Sequence, residues 1–256
     1  IGKNLVMHLS EMDNIEILEM DRDTSFSDIE KDIDNLDYVF HLAGVNRPKK
    51  VKEFYEGNTD LSQQLVSLLN SKNLKVPIIY ASSIHAEADS DYGKSKKLAE
   101  NAILDYGNGS LIYRFHNVFG KWCLPNYNSA VATFCNNIAT GQKIFVDDRN
   151  KKLELIYIDD IVYEFKKIIS GEKPTEQRGK YCYVKPRYKV SLGYIVDLLK
   201  QFKDELQTIY VPASGDDFIK KLHATFVTYL SPRDLVTTAT KNEDDRGNFS
   251  ELIRTH

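Results

Sequence analysis

Uninterrupted apolar runs alternate along this chain with segments of helical periodicity, and that alternation restricts the fold more than any other feature of the sequence. Leu36 to Gly44, Val76 to Ser83 and Leu111 to Phe115 are short enough to be single strands and are apolar on successive residues rather than alternate ones. A strand apolar on both faces must be covered on both faces, which parallel strands joined by crossover helices achieve. Between and around these runs, Phe26 to Asp34, Phe54 to Ser71 and Ser90 to Tyr106 repeat apolar residues every three or four positions, as a helix packed on a sheet does. Ile15 to Met20 reads as a further short strand. The expected architecture is α/β, with a doubly wound parallel sheet. Such sheets bind ligands outside the carboxyl ends of their strands, so Ala43-Gly44, Ser82-Ser83 and Phe115 to Gly120 are expected to line one crevice.

After about residue 120 the pattern loosens. Ser129 to Ala139 and Val190 to Asp204 read as helices, and Lys143 to Val146, Leu153 to Ile158 and Tyr181 to Val184 as short strands, which predicts a smaller C-terminal substrate-binding lobe. The chain opens inside a helix, with Ile1, Leu5, Val6 and Leu9 on one face and no initiator methionine, and Glu243 to Ile253 reads as a turn entering a strand. Both ends are expected to continue in a longer polypeptide.

Composition removes several classes of function. The 256 residues hold 34 Lys+Arg against 37 Asp+Glu, with no clustered basic footprint, so a nucleic-acid partner is not expected. No apolar run reaches the length of a membrane span and no secretory leader is visible. Cys123, Cys135 and Cys182 lack metal-ligand spacing, so neither a metal site nor a disulfide framework is expected, and the protein reads as cytoplasmic.

The sharpest chemical candidate is Tyr92-Gly93-Lys94-Ser95-Lys96. Residues four apart share a helix face, so an ammonium can stand near a phenol. The spacing alone is weak, since Tyr163/Lys167 and Tyr181/Lys185 repeat it. Context selects Tyr92, whose helix follows a strand ending in Ser83, next along the chain from the Leu42-Ala43-Gly44 turn. A hydroxyl, a phenol and an ammonium at the carboxyl edge of a parallel sheet suit carbonyl reduction or alcohol oxidation. The ammonium is expected to bring the phenol, ordinarily near pKa 10, toward the working range.

With Asn58, the Asp37…His41-Leu42-Ala43-Gly44 strand, Arg114 to Gly120 and Tyr157-Ile158-Asp159-Asp160-Ile161, these residues resemble the extended short-chain dehydrogenase/reductases that act on nucleotide sugars, over roughly residues 1 to 240. The resemblance implies a Rossmann-type sheet binding a nicotinamide dinucleotide. Tyr92 would be the proton donor, Lys96 the group holding the nicotinamide ribose, Ser83 the hydrogen-bond partner of the carbonyl, and Asn58 a member of the proton relay. Gly2 looks like the last glycine of the phosphate loop. Asp21 and Arg22 end the second strand, where a carboxylate selects NAD and a cation NADP; Leu42, Ala43, Gly44 and Phe115 complete the cofactor side.

Ser83 is followed by Ile84-His85 rather than the paired acids of sugar 4,6-dehydratases, which disfavours dehydration. His85 sits where some reductase-epimerases carry a second acid/base, and a loop residue that only contacts sugar remains its simpler reading. Asp159-Asp160 reads as a helix cap, and Leu153 stands where many relatives carry a diphosphate-binding arginine, with Arg149 or Lys151 as substitutes.

Longer strings, His41 to Pro48, Asn117 to Ser129 and Asp244 to Glu251, resemble the CapF family of capsular-polysaccharide enzymes, which join an NADPH-dependent reductase to a C-terminal cupin epimerase. That resemblance implies a reductase over residues 1–240 and a linker with the first cupin strand over 241–256. It also implies NADPH as cofactor, a UDP-sugar substrate met by Asn46, Arg47, His85, Asn117, Lys121, Trp122 and Asn128, and a homodimer. The reaction implied is reduction of the C4 ketone of a UDP-4-keto-6-deoxy-N-acetylhexosamine to UDP-2-acetamido-2,6-dideoxy-L-talose, on the route to UDP-N-acetyl-L-fucosamine. Two alternatives stay open: a redox epimerase working through His85, and a non-enzymatic sensor of NADP redox state on the same fold.

Overall fold

The computed structural model describes residues 1–256 except 207, 209, 212–214, 237, 253 and 256, and only the backbone at 211, 254 and 255. It divides into two compact units, Ile1–His116 with Ile158–Pro186, and Asn117–Tyr157 with Arg187–His256.

The first unit is the doubly wound half. Its five-stranded sheet contains β1 (Val39–His41), β2 (Ile78–Ser83), β3 (Leu111–Phe115), β6 (Glu176–Arg178) and β7 (Tyr181–Tyr183), in the order β1-β2-β3-β7-β6. The first four in that order run parallel and β6 closes the edge antiparallel. Ile78, Ile79 and Tyr80 are fully inaccessible, the two-sided burial that the apolar run predicts. One cover is α2, helical over 52–71, with α3 (Asp91–Tyr106): Leu65, Leu69, Ala99 and Ile103 pack there on Ile78 and Tyr80. Toward α5 (Ile158–Ile169), Phe165 meets Phe40 at 5.2 Å and Tyr113 at 5.5 Å between ring centroids. Asp159 and Asp160 occupy the first turn of α5, where carboxylates favour the positive end of the helix dipole.

Register decides what reaches the strand ends. β1 stops at His41, opposite Tyr80, whereas β2 runs on to Ser83, opposite Phe115. The second unit holds β4 (Asn117–Phe119), β5 (Lys152–Tyr157) and β8 (Tyr188–Ser191) in one sheet, over a core formed with Val131, Phe134, Leu199, Phe202 and Phe226. A hairpin, Lys241–Asp244 with Gly247–Ser250, follows and is exposed throughout, Phe249 included.

Three expectations change. Ile15 to Met20 and Lys143 to Val146 form no strand, because neither run pairs with a neighbouring strand, and Leu18 and Met20 remain exposed. The run Leu36 to Gly44 yields only three strand residues. The helix expected over 54–71 contains a π turn at Tyr55–Asp60. Within that turn, Gly57 lies so close to Val45 that a Cβ would come to 2.3 Å from the valine methyl. Of the strand expected to end at Ile253, that residue lies outside those described. Among the described residues, no helix is long and apolar enough to cross a membrane.

Candidate active site

Ser83 ends β2 and opens a 3-10 turn, Ile84–Glu87, with its Oγ accepting the His85 N–H at 3.2 Å. The chain then enters α3, capped by Ser90 Oγ accepting the Gly93 N–H at 3.1 Å. Gly93 lies against this connection, since a Cβ there would meet the carbonyl oxygens of Ala88 at 2.3 Å and His85 at 2.5 Å. Only glycine lets the helix start so close to the strand end. The result is that the Ser83 hydroxyl stands beside the Tyr92 phenol. Burial raises the Tyr92 pKa above the ordinary phenol value, and the neighbouring Ser83 hydroxyl acts against that rise. Lys96 is not among the causes, a departure from the expectation that the ammonium would pull the phenol down.

The Lys96 ammonium, one turn along, is occupied elsewhere. It donates to the Ala81 carbonyl at 2.7 Å and stands 4.4 Å from the centroid of the Tyr80 ring. Burial depresses Lys96 from 10.5 to about 7, with the nearby Glu100 carboxylate opposing. An ammonium has three donor hydrogens, so two are left for a ligand.

Asn58, 1% exposed, holds the turn after β1. Its Oδ1 accepts the Val45 N–H at 2.9 Å, and its Nδ2 donates to the Val45 carbonyl at 2.9 Å and to Ser95 Oγ at 3.0 Å. Its own carbonyl accepts from Ser62 Oγ at 2.7 Å. Because that hydroxyl hydrogen is spent on Asn58, the 2.8 Å contact between His41 Nε2 and Ser62 Oγ requires His41 to donate. Burial and the nearby Lys96 lower His41 to about 3, which keeps it neutral. Asn58 was expected in a proton relay; here its amide makes three hydrogen bonds, two of them to the Val45 backbone. Gly44 completes the wall, where a Cβ would come to 2.8 Å from Asn58 Oδ1 and 3.4 Å from Lys96 Nζ.

Behind these groups lies a buried ion pair. Glu100 accepts Arg114 Nε at 2.9 Å and Nη2 at 2.7 Å, and Ser82 Oγ donates to Glu100 at 2.6 Å. The Arg114 guanidinium stacks 3.5 Å from the Tyr181 ring centroid. Ser62, Tyr80, Ser95 and Glu100 are not among the residues that the sequence singles out. For three of them helical spacing is a signal: Ser62 follows Asn58 by one turn, Glu100 follows Lys96 by one turn, and Ser95 lies between Tyr92 and Lys96; Tyr80, in β2, carries none.

The other expected positions divide. Leu42 is half-buried and Ala43 and Gly44 are exposed, just past β1. Phe115 is buried, its ring 6.2 Å from that of Phe165, so its side chain belongs to the core rather than to a cofactor surface. Gly2 begins α1 (Gly2–Leu9) with open space in front of its Cα. Asp21 and Arg22 are exposed, and Asp21 Oδ1 accepts from the Asp23 N–H at 2.9 Å and Thr24 Oγ1 at 3.2 Å. Asn46 is half-buried, while Arg47 and His85 are exposed.

Asn117, Lys121, Trp122 and Asn128 belong to the second unit. There Lys121 stands 5.5 Å from the Trp122 ring centroid, and Trp122 itself adopts φ 65°. Trp122 and Tyr127 are exposed rather than core residues. The loop carrying them is pinned from beneath by Tyr229 Oη donating to the Cys123 carbonyl at 2.6 Å. Arg149, a possible diphosphate partner, is paired with Asp197 at 2.7 Å.

Residues 1–178 match the family model described as NAD dependent epimerase/dehydratase family. The whole chain is 36% identical, over 259 aligned positions covering 69% of the relative, to a UDP-2-acetamido-2,6-beta-L-arabino-hexul-4-ose reductase of Pseudomonas aeruginosa. Among solved structures, the capsular polysaccharide assembling protein CapF of Staphylococcus aureus is 41% identical with TM-score 0.86, covering 99% of this chain and 69% of that one. A UDP-glucuronic acid 4-epimerase of Bacillus cereus, solved with NAD, shares the fold at TM-score 0.67 and 16% identity, over 88% of this chain and 83% of that one.

Proposed function

The chain belongs to the NAD dependent epimerase/dehydratase family, and from that premise we propose that it is an NADPH-dependent reductase of the C4 ketone of a UDP-4-keto-6-deoxy-N-acetylhexosamine, giving UDP-2-acetamido-2,6-dideoxy-L-talose. The observation that carries this reading is the convergence of the Ser83 hydroxyl, at the end of β2, and the Tyr92 phenol, with the Lys96 ammonium anchored one helical turn away. The name of the Pseudomonas aeruginosa relative supports the substrate class.

The residues present fit a nicotinamide dinucleotide: Gly44 leaves room that a side chain would fill, and Lys96 retains two ammonium donors for a ribose. That cofactor, when bound, supplies the hydride to the sugar carbonyl carbon. Tyr92 Oη gives its proton to the carbonyl oxygen, and burial suits it to the task because the phenol stays protonated at neutral pH. The phenolate left behind is favoured by the neighbouring Ser83 hydroxyl, then takes a proton back from solvent. Asn58 keeps the Gly44-Val45 backbone where it leaves that room. Arg22 favours NADPH, since Asp21, the competing ribose acceptor, already spends one oxygen on Asp23 and Thr24.

In this reading residues 1–240 form the reductase with its substrate-binding lobe, and 241–256 begin a cupin domain. Asn46, Arg47 and His85 of the first unit contact the UDP-sugar. The protein works in the cytoplasm as a homodimer, in capsular polysaccharide synthesis. The test is NADPH and NADH absorbance with a UDP-4-keto-6-deoxy-N-acetylhexosamine, wild type against Tyr92→Phe. NADPH oxidation by wild type alone is expected; oxidation of neither cofactor, or equal turnover by the variant, overturns the reading.

A further inference from the structure

We propose that Tyr80 is a positioning residue of the site, its ring face forming the seat that fixes the Lys96 ammonium against the Ala81 carbonyl. The assignment rests on Lys96 acting as read above, but its geometry stands without that reading. Tyr80 is fully inaccessible, in the centre of β2, and the Lys96 nitrogen lies 4.4 Å from its ring centroid and 2.7 Å from the carbonyl of the next residue. A desolvated cation has little else to favour it there, and the negative face of an aromatic ring attracts it more strongly for lack of water.

The Tyr80 hydroxyl does not explain the residue. It makes no well-formed hydrogen bond, because the neighbouring Ser62 oxygen already takes the His41 N–H and gives its hydrogen to Asn58. What Tyr80 offers is therefore its ring. The ring also stacks beside His41, with centroids 5.1 Å apart, and so joins the Lys96 seat to the His41–Ser62–Asn58 chain that holds the turn after β1.

Three other titratable side chains lie near Lys96. Glu100 favours the ammonium but is shared with Arg114 and Ser82; His41 is neutral; Tyr92, on the same helix, stands beside Ser83. None of them touches the ammonium as the ring and the Ala81 carbonyl do.

The test reads Lys96 directly. Lysine labelled with carbon-13 at Cε reports its own titration by NMR, and Lys96→Arg identifies the signal. Tyr80→Phe, which keeps a ring, is expected to leave the Lys96 midpoint within a few tenths of a pH unit of wild type. Tyr80→Leu and Tyr80→Met remove the ring face and should lower the midpoint by about one pH unit. Phenylalanines of increasing ring fluorination at position 80 keep shape while draining the ring of electron density, so they guard against a variant that fails to fold; the midpoint should fall stepwise along that series. A midpoint unmoved across the fluorinated series, or unmoved in a folded Leu or Met variant, overturns the proposal. Because the titration is read on the protein alone, failure of the reductase reading, seen as no NADPH oxidation by wild type, is a separate result.

Discussion

Replacing Lys96 by methionine should make the folded protein less sensitive to pH, because the native ammonium is held at a cost. Burial lowers Lys96 from 10.5 in the free side chain to about 7. The folded value lies below the unfolded one, so between about pH 7 and 10.5 the unfolded chain carries a proton that the folded chain has released. Wild-type stability therefore rises with pH through that window. Well below pH 7 both states are protonated and the folded state bears the full penalty; at pH 7, where the folded group is half protonated, roughly 4 kcal/mol of it remains. By pH 9 about half of it is relieved, a gain of about 2 kcal/mol.

Lys96→Met keeps the length of the side chain and removes the titration. It also strips the Ala81 carbonyl of its donor, a cost that does not change with pH. The diagnostic quantity is thus the difference in slope rather than the stability at any one pH. Urea unfolding of both proteins at pH 7 and pH 9, followed by far-UV circular dichroism, should give wild type about 2 kcal/mol more stabilisation over that interval than the variant. Groups common to both proteins cancel in the comparison. Parallel responses would mean that Lys96 titrates in the folded protein as it does in water, and the burial reasoning would be refuted.

Three further outcomes follow from the same geometry. Glu100→Gln leaves the buried Arg114 guanidinium with only the exposed Glu87 as its carboxylate partner; losing one side of a buried pair costs about 3–5 kcal/mol, so the thermal midpoint should fall by roughly 10 °C, and an unchanged melt would count against the pair. Gly44→Ala drives a methyl to 2.8 Å from Asn58 Oδ1, so NADPH affinity measured by calorimetry should fall at least about tenfold while the circular dichroism spectrum is retained, since overpacking costs only about 1–3 kcal/mol. Asn58→Ala cuts both hydrogen bonds to the Val45 backbone; amide exchange at Val45 should accelerate by at least about tenfold, and protection equal to wild type would show that the turn is held by something else.

Much of the fold was legible because its central strands state their burial twice. Ile78 to Ser83 is apolar or small at every position, and every residue of β2 is buried. Ser90 and Gly107 bracket α3 as cap residues do, Gly107 at φ 72°. Ile15 to Met20 misled because periodicity reports what a segment could present to a sheet, not whether a neighbouring strand offers it hydrogen bonds. The π turn was invisible for a related reason: nothing in Tyr55–Asp60 departs from ordinary helical spacing, and the turn lies against Val45, a contact made by a residue outside the helix. The Phe115 ring turns into the core beside Phe165, because strand-end position tells which backbone reaches the edge but not which way a side chain faces.

The groups proposed to react were legible in the sequence, and what holds them was not. Ser83, Tyr92 and Lys96 were singled out by residue type and spacing, and the structure places Ser83 at the end of β2 and the other two on the helix that follows. Their supports are Tyr80, Ser62, Ser95, Glu100 and Arg114, which in sequence read as an apolar strand residue, helix polar residues and a charged strand residue. The distinction is physical. A reacting group must be a particular functional group, whereas a support need only present a ring face, a hydroxyl or a counter-charge at the right place, and that is a property of packing. The burial that lowers Lys96 and raises Tyr92 comes from the same apolar strand that makes the fold recognisable. The chain gives up part of its stability at β2 to keep an ammonium where water would not leave it fixed, and Ala81, Tyr80 and Glu100 recover part of that loss.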